Sequence, residues 1–309
     1  MGNIITAKNI VKRYSKHVAL NDVSFHVPEG TIYGLLGPNG AGKTSMIRII
    51  NQITAPDTGE VLFKDEKLAP RHAELIGYLP EERGLYKKMK VGEQALYLAR
   101  LKGMEKADAM AKLKKWFLKF EIEAWWDKKV EDLSKGMAQK VQFIVTVLHE
   151  PKLLILDEPF SGFDPINVEL IKSELLRLKK EGVTIILSTH NMSSVEELCD
   201  NITLINQSKA VLEGNVNELR HSFKQHIWEV KFKGTEDAVK NALNGKFELL
   251  SLTPENNLTV ARIKIPEGFN SNDLIKALLP SCTILSFLEI LPSMSEIFIS
   301  AVTRTNPTK

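Results

Sequence analysis

With 309 residues, 43% of them hydrophobic and 26% charged, the chain has the length for two domains and the composition of a soluble globular protein. A net charge of +3 from 41 basic and 38 acidic residues is nearly balanced and gives no case for nucleic acid as the main partner. Cys199 and Cys282 match no metal or redox spacing, which suits ordinary thiols of a reducing compartment. No window approaches the roughly 18 uninterrupted apolar residues of a membrane span, so a membrane role would run through a partner.

The first residues lack the long apolar segment of a signal peptide, and Gly2 invites an acylation reading that Thr6, in an evident strand, discounts. Ile4–Arg13 and Val18–Val27 alternate apolar and polar residues around a turn at Tyr14–His17, the pattern of paired antiparallel strands. Thr31–Leu36 then runs apolar into Gly37, Pro38, Asn39, Gly40, Ala41, Gly42, Lys43 and Thr44. This is a phosphate-binding loop of the pattern G-x-x-x-x-G-K-[ST]. Its glycines let successive backbone N–H groups turn toward phosphate oxygens. Lys43 supplies a point charge, and the Thr44 hydroxyl is placed to ligate Mg²⁺. From Ser45 the chain continues as a helix whose N-terminus faces the anion. A nucleotide triphosphate, ATP, with Mg²⁺ is the expected ligand.

Gly59–Phe63 and Ile76–Leu79 read as short strands. From about Val91 to His149 the pattern turns helical, with segments Val91–Leu101, Lys106–Phe120 and Gly136–Leu148. Lysines crowd this region and are read as solvated faces in preference to a lipid-facing surface. Trp116, Trp125 and Trp126 read as packing residues. Leu153–Leu156 is a buried strand presenting Asp157 and Glu158 at its C-terminal end, where ligands bind in open α/β sheets. Asp157 is expected to hold Mg²⁺ and Glu158 to polarise the attacking water. Asn167–Lys180 is a helix leading to strand Val183–Leu187, one βαβ unit. Ile202–Asn206 and Ala210–Glu213 are expected as edge strands. After about Arg220 the order becomes βαββαβ: His226–Phe232, Glu236–Leu243, Phe247–Leu252, Leu258–Ile265, Ser271–Leu278 and Thr283–Leu291, closed by a helix at Ser293–Val302. That order is the ferredoxin-like arrangement. The tail carries no concentration of catalytic side chains.

Leu133-Ser134-Lys135-Gly136-Met137 lies before the carboxylate strand and opens a helix, a second anion-binding helix N-terminus in one domain. One triphosphate does not need two such sites in one subunit. Two subunits packed head to tail do. Here the chain resembles the ATP-binding subunits of ABC transporters, whose motif at this place is Leu-Ser-Gly-Gly-Gln. Ser134 and Gly136 are kept, whereas Lys135 and Met137 depart from it. The form is similar to that of ATPases serving ABC-2 type export permeases, such as sodium- and drug-efflux systems. Lys135 either carries charge toward the opposed nucleotide or points to solvent.

The resemblance covers residues 1 to about 220 and implies further roles. Tyr14 would stack on adenine. Asp164, in Ser161-Gly-Phe-Asp164, would touch the opposite subunit, and His190, ending Ser188-Thr-His190, would sense the γ-phosphate. Glu81 stands where the family places a glutamine, as a Mg²⁺ ligand with an added negative charge. The implied fold is α/β: a phosphate-loop NTPase of the ABC type over residues 1–220, with a mixed sheet core, an antiparallel β subdomain and a helical subdomain at about 84–150. A ferredoxin-like α+β accessory domain over 221–309 follows. The implied activity is ATP hydrolysis by a homodimer driving integral-membrane permease subunits. It would sit in the cytoplasm at the inner face of the membrane. Rival readings are a soluble ATPase of the same superfamily acting on ribosomes or DNA, and a regulatory switch with little turnover. Such translation-type proteins generally carry two cassettes in one chain, and this chain has one phosphate loop.

Overall fold

The computed structural model describes residues 2–305 apart from 16, 82, 83 and 257. The chain divides into two compact units, Met1–Val216 with Ala301–Lys309, and Asn217–Ser300.

Two sheets build the first unit. β1 (Asn3–Tyr14) and β2 (His17–Pro28) pair antiparallel. β3 (Ile32–Leu36) leads through the glycine-rich loop to α1 (Lys43–Ile50). β4 (Thr58–Phe63) and β5 (Glu66–Lys67) then complete a four-stranded sheet in the order β2-β1-β4-β5. The second sheet gathers β3, β6 (Ile76–Leu79), β7 (Leu153–Asp157), β8 (Thr184–Thr189), β9 (Asn201–Asn206) and β10 (Lys209–Asn215), in the order β10-β9-β3-β8-β7-β6. Its central strands run parallel, and every residue of β3, β7 and β8 is buried. Covered on both faces, such strands read as continuous apolar runs rather than alternating ones. One core cluster joins Ile5, Phe25, Tyr33, Met46, Ile155 and Ile186, so the antiparallel sheet, α1 and the parallel strands share a single interior.

The sequence expectation fails at β9. Ile202–Asn206 is not an edge strand: β9 lies between β10 and β3, and five of its six residues are buried. Thr203 and Asn206 are both buried within it. The Thr203 hydroxyl is satisfied in the interior by the Tyr33 hydroxyl at 2.5 Å.

Between β6 and β7 come α2 (Val91–Leu101), α3 (Lys106–Lys119) and α4 (Lys135–Val147). Their apolar stripes bury Ala95, Ala99, Leu113, Phe117, Val141 and Ile144. Trp126 stands edge-on to Phe117 at 5.4 Å, and Trp116 meets Phe120 at 5.6 Å. α5 (Pro165–Lys180) crosses from β7 to β8, and α6 (Met192–Leu198), which the periodicity did not announce, follows β8. α6 spans seven residues and is started by Asn191, whose side chain accepts from the backbone N–H groups of Ser193 and Ser194.

α7 (Val216–Ser222) leads to the second unit. There β11 (Ile227–Lys233), α8 (Glu236–Leu243), β12 (Glu248–Glu255), β13 (Leu258–Lys264), α9 (Ser271–Leu278) and β14 (Thr283–Ile290) form an all-antiparallel sheet in the order β12-β13-β11-β14. This is the ferredoxin-like split βαβ topology. Val230, Phe232, Ala261 and Ile263 on the sheet pack with Val239, Leu243, Leu274 and Leu278 of the two helices. α10 (Met294–Thr305) ends the described chain.

Candidate functional site

The site grows from the C-terminal ends of β3, β7 and β8. Gly37 (φ 148°) and Gly42 (φ 117°) hold backbone conformations that side chains resist. A Cβ at Gly37 would run into the Ile205 carbonyl, and one at Gly42 into the Ala19 carbonyl. The loop between them is thereby pinned to β9 and β2, with its outer rim, Pro38, Asn39 and Gly40, exposed and Ala41 buried beneath.

Lys43 is buried, and its Nζ donates to the carbonyls of Gly37 at 2.7 Å and Pro38 at 3.2 Å. Burial lowers the affinity of this amine for its proton, while the carboxylates of Glu158, Asp157 and Glu81 oppose that shift. Asp157 is also buried. Its Oδ1 accepts from the Ser188 hydroxyl, and its Oδ2 lies 3.4 Å from the Thr44 hydroxyl. Glu158 takes φ 48°, a left-handed conformation unusual for a non-glycine residue. Its N–H donates to the Ser188 carbonyl at 3.1 Å, and its Oε1 lies 2.8 Å from His190 Nδ1.

These groups wall a cleft of about 340 Å³ with Tyr14, His17, Ala19, Asn39, Gly40, Gly42, Lys43, Thr44, Ser45, Glu81, Asp157 and Glu158 on its surface. Tyr14 ends β1 with its ring open to solvent on one side and the Lys12 ammonium 5.5 Å from its centroid. His17, across the same turn, is a wall residue that the sequence reading passed over. Its position three residues after Tyr14 was the available signal.

Ser134, Gly136 and Asp164 are not among the walls of this cleft. Ser134 caps α4, accepting from the Met137 N–H at 3.3 Å, and the space around Gly136 is open. Asp164 caps α5 by accepting from the Asn167 N–H at 3.0 Å, a bond that holds its carboxyl below the usual range. The two caps are neighbours. Gln139 Nε2 donates to the Ser161 carbonyl, and the Lys135 stem lies against Gly162. The Lys135 side chain is exposed and lies along the Ser161–Asp164 loop of its own chain.

The residues present fit a nucleotide with a divalent cation. Three carboxylates face one buried ammonium, an excess of negative charge that a cation beside phosphates would balance. Among the described residues no three His, Cys, Asp or Glu side chains form a cage able to hold a metal alone. That suits Mg²⁺, which takes one or two protein ligands and completes its shell with phosphate oxygens and water.

A cavity of about 500 Å³ elsewhere is lined by Lys112, Trp116, Lys119, Lys152 and Arg177. Several of its cations are already paired, Lys119 and Arg177 with the buried Glu174 and Lys112 with Glu150. It has none of the phosphate-loop chemistry.

Comparison with known proteins agrees with this geometry. The family model described as ABC transporter matches residues 20–161. One for the C-terminal domain of DrrA1-3-like ATP-binding proteins matches 214–302. A model described as AAA domain, putative AbiEii toxin, matches only 129–196, inside the same ATPase unit. The uncharacterized ABC transporter ATP-binding protein YhaQ of Bacillus subtilis (strain 168) is 47% identical over 220 residues, 71% of this chain and 74% of its own length. The bacitracin transport ATP-binding protein BcrA of Enterococcus faecalis is 36% identical over 229 residues, 71% of each chain. A solved ATP binding subunit of an ABC transporter is 30% identical with a TM-score of 0.66, covering 71% of this chain and 93% of that one. The chain belongs to the ATP-binding proteins of ABC transporters, with a DrrA-like C-terminal domain. Its fold is that of the ABC ATPase domain, and its activity is ATP hydrolysis as the motor of a transport system. Among the described residues no helix is long and apolar enough to cross a membrane.

Proposed function

We propose that this chain is the motor of an exporter. Two copies would stand head to tail, each phosphate loop facing the Ser134–Gly136 element of the other copy. The relationship to a bacitracin transport protein supports the export reading. The observation that carries the chemistry is the pair Asp157–Glu158 at the mouth of β7, one carboxylate buried against Thr44 and the other turned out to His190.

In this reading Gly37–Ser45 binds the triphosphate through backbone N–H groups and the Lys43 ammonium, and Tyr14 stacks on the base. Thr44 and Asp157, with Glu81 at the cleft rim, would hold Mg²⁺. When bound, the ion neutralises charge on the phosphate oxygens. Glu158 orients and deprotonates the attacking water, and its strained backbone aims the carboxylate away from the buried Asp157. His190, hydrogen-bonded to Glu158, fixes that carboxylate and meets the γ-phosphate. Ser134 and Gly136 of the second copy close the site, and Asp164 lies at the same interface. Movement passes to integral-membrane permease subunits, so the chain works in the cytoplasm at the inner membrane face. The open apolar side chains of Tyr86, Tyr97 and Leu101 are the contact surface assigned to the permease.

Steady-state hydrolysis of Glu158→Gln tests the catalytic assignment. Loss of the general base is expected to lower kcat by about 10²–10⁴-fold with nucleotide binding retained. A rate equal to wild type would remove Glu158 from the chemistry.

A further inference from the structure

We infer that Ser188 is a positioning residue that orients Asp157 and Glu158, an inference that rests on the proposed roles of those two residues. Ser188 sits in β8 directly across from Asp157 in the parallel register, and it is fully buried. Three of the six buried residues of β8, Thr184, Ser188 and Thr189, carry hydroxyls, and that of Ser188 is turned to Asp157. Two of its hydrogen bonds reach the acidic residues. The hydroxyl donates to Asp157 Oδ1, and the main-chain carbonyl accepts the Glu158 N–H at 3.1 Å.

The first contact decides how the Asp157 carboxylate is turned. Rotation about the carboxylate bond is broad and two-fold, so the plane of the group is set by its partners. With Oδ1 held by Ser188, Oδ2 is left facing the Thr44 hydroxyl at 3.4 Å, toward the proposed Mg²⁺ position. Without the hydroxyl, Oδ1 loses its donor and the carboxylate plane is released to rotate, so Oδ2 is no longer held toward the cation position. The second contact holds Glu158 in its left-handed conformation, where φ is 48°. This contact uses the backbone and therefore survives side-chain substitution. Ser188→Ala consequently isolates the effect on Asp157 from any effect on Glu158.

A fluorescent ATP analogue is titrated onto the full chain in EDTA and again across a Mg²⁺ series, for wild type, Ser188→Ala, Ser188→Thr and Asp157→Asn. Thermal melting of each variant is recorded alongside. Ser188→Ala is expected to bind the analogue in EDTA as wild type does. It should need about tenfold more Mg²⁺ for the same tightening, the scale of one hydrogen bond to a carboxylate. Ser188→Thr, which keeps the hydroxyl, should recover most of the difference. An unchanged Mg²⁺ requirement in Ser188→Ala, with Asp157→Asn impaired, overturns the inference while leaving the metal reading intact. Normal Mg²⁺ dependence in Asp157→Asn overturns the metal reading and this inference with it. Weakened binding in EDTA together with a lowered melting temperature in Ser188→Ala would make the residue merely structural.

Discussion

At the scale of single residues, His149 is strongly perturbed although it lies outside the nucleotide cleft. Burial drives its pKa from 6.5 down to about 4, the Lys102 ammonium adds to the shift, and a contact from Nε2 to the Ile76 carbonyl opposes it. Lys102 cannot move away, because its Nζ donates to the carbonyls of Ala73 at 2.8 Å and Ile76 at 2.9 Å. The folded state therefore holds His149 neutral where an unfolded chain would protonate it. As pH falls through 6.5 the unfolded state takes up the proton first, so stability falls, and the loss levels off below about 4. The shift corresponds to at most about 3 kcal/mol. His149→Gln keeps a donor for Ile76 but does not titrate. Its denaturation midpoint is expected to match wild type at pH 7.5 and to exceed it increasingly toward pH 4. Parallel curves for the two proteins would exclude His149 as the source of acid sensitivity. Neither this pair nor the Ser188 clamp was legible in the sequence. The phosphate loop, Asp157 and Glu158 were, because each needs a residue type at a fixed offset from a strand. A hydrogen bond across neighbouring strands depends on sheet order, which one-dimensional spacing does not contain.

At the scale of elements, periodicity found most of the chain. α2, α8 and α9 start and stop where their apolar stripes put them, and side-chain caps from Thr235 and Asn270 open the last two. What it missed was short or concealed: α6 and α7 with seven residues each, β5 with two, and the interior place of β9. Packing also overrides propensity within one of the helices it found. Gly92 lies in the first turn of α2, where alanine would ordinarily stabilise by about 1 kcal/mol. A Cβ there would instead strike the Trp126 indole. The ring has little room to retreat, because it packs on Phe117 at 5.4 Å and the Trp126 carbonyl accepts from Gly92 N–H at 2.9 Å. Overpacking of this kind costs about 1–3 kcal/mol, so it outweighs the propensity gain. Gly92→Ala is expected to lower stability by about 1–2 kcal/mol in urea denaturation. A more stable variant would mean that the indole swings aside at no cost.

At the scale of the whole molecule, the two elements proposed to bind the triphosphate do not meet within one chain. The cleft that holds Lys43, Thr44 and Asp157 has neither Ser134 nor Gly136 on its walls. The Ser134 end of α4 is joined instead to the Ser161–Asp164 loop of the same chain by Gln139 and Lys135. A second copy is the simplest source of the missing half, and a two-fold arrangement supplies it to both clefts at once. The idea can be tested with two inactive chains. Lys43→Ala removes the phosphate contact of a chain but leaves its Ser134 element able to serve a partner. Ser134→Arg does the reverse, filling the open space beside Gly136 while sparing the chain's own cleft. Each variant alone should be nearly inactive, since every site in its homodimer carries one defect. In a mixed dimer the two defects fall on one site and the other site is whole. Equal mixing makes about half of the dimers mixed, so up to about a quarter of wild-type hydrolysis should return. Hydrolysis measured across mixing ratios should follow a curve peaking at equal amounts. A mixture that stays silent, with both variants folded and mixed dimers demonstrated by cross-linking, would mean that each chain completes its own site.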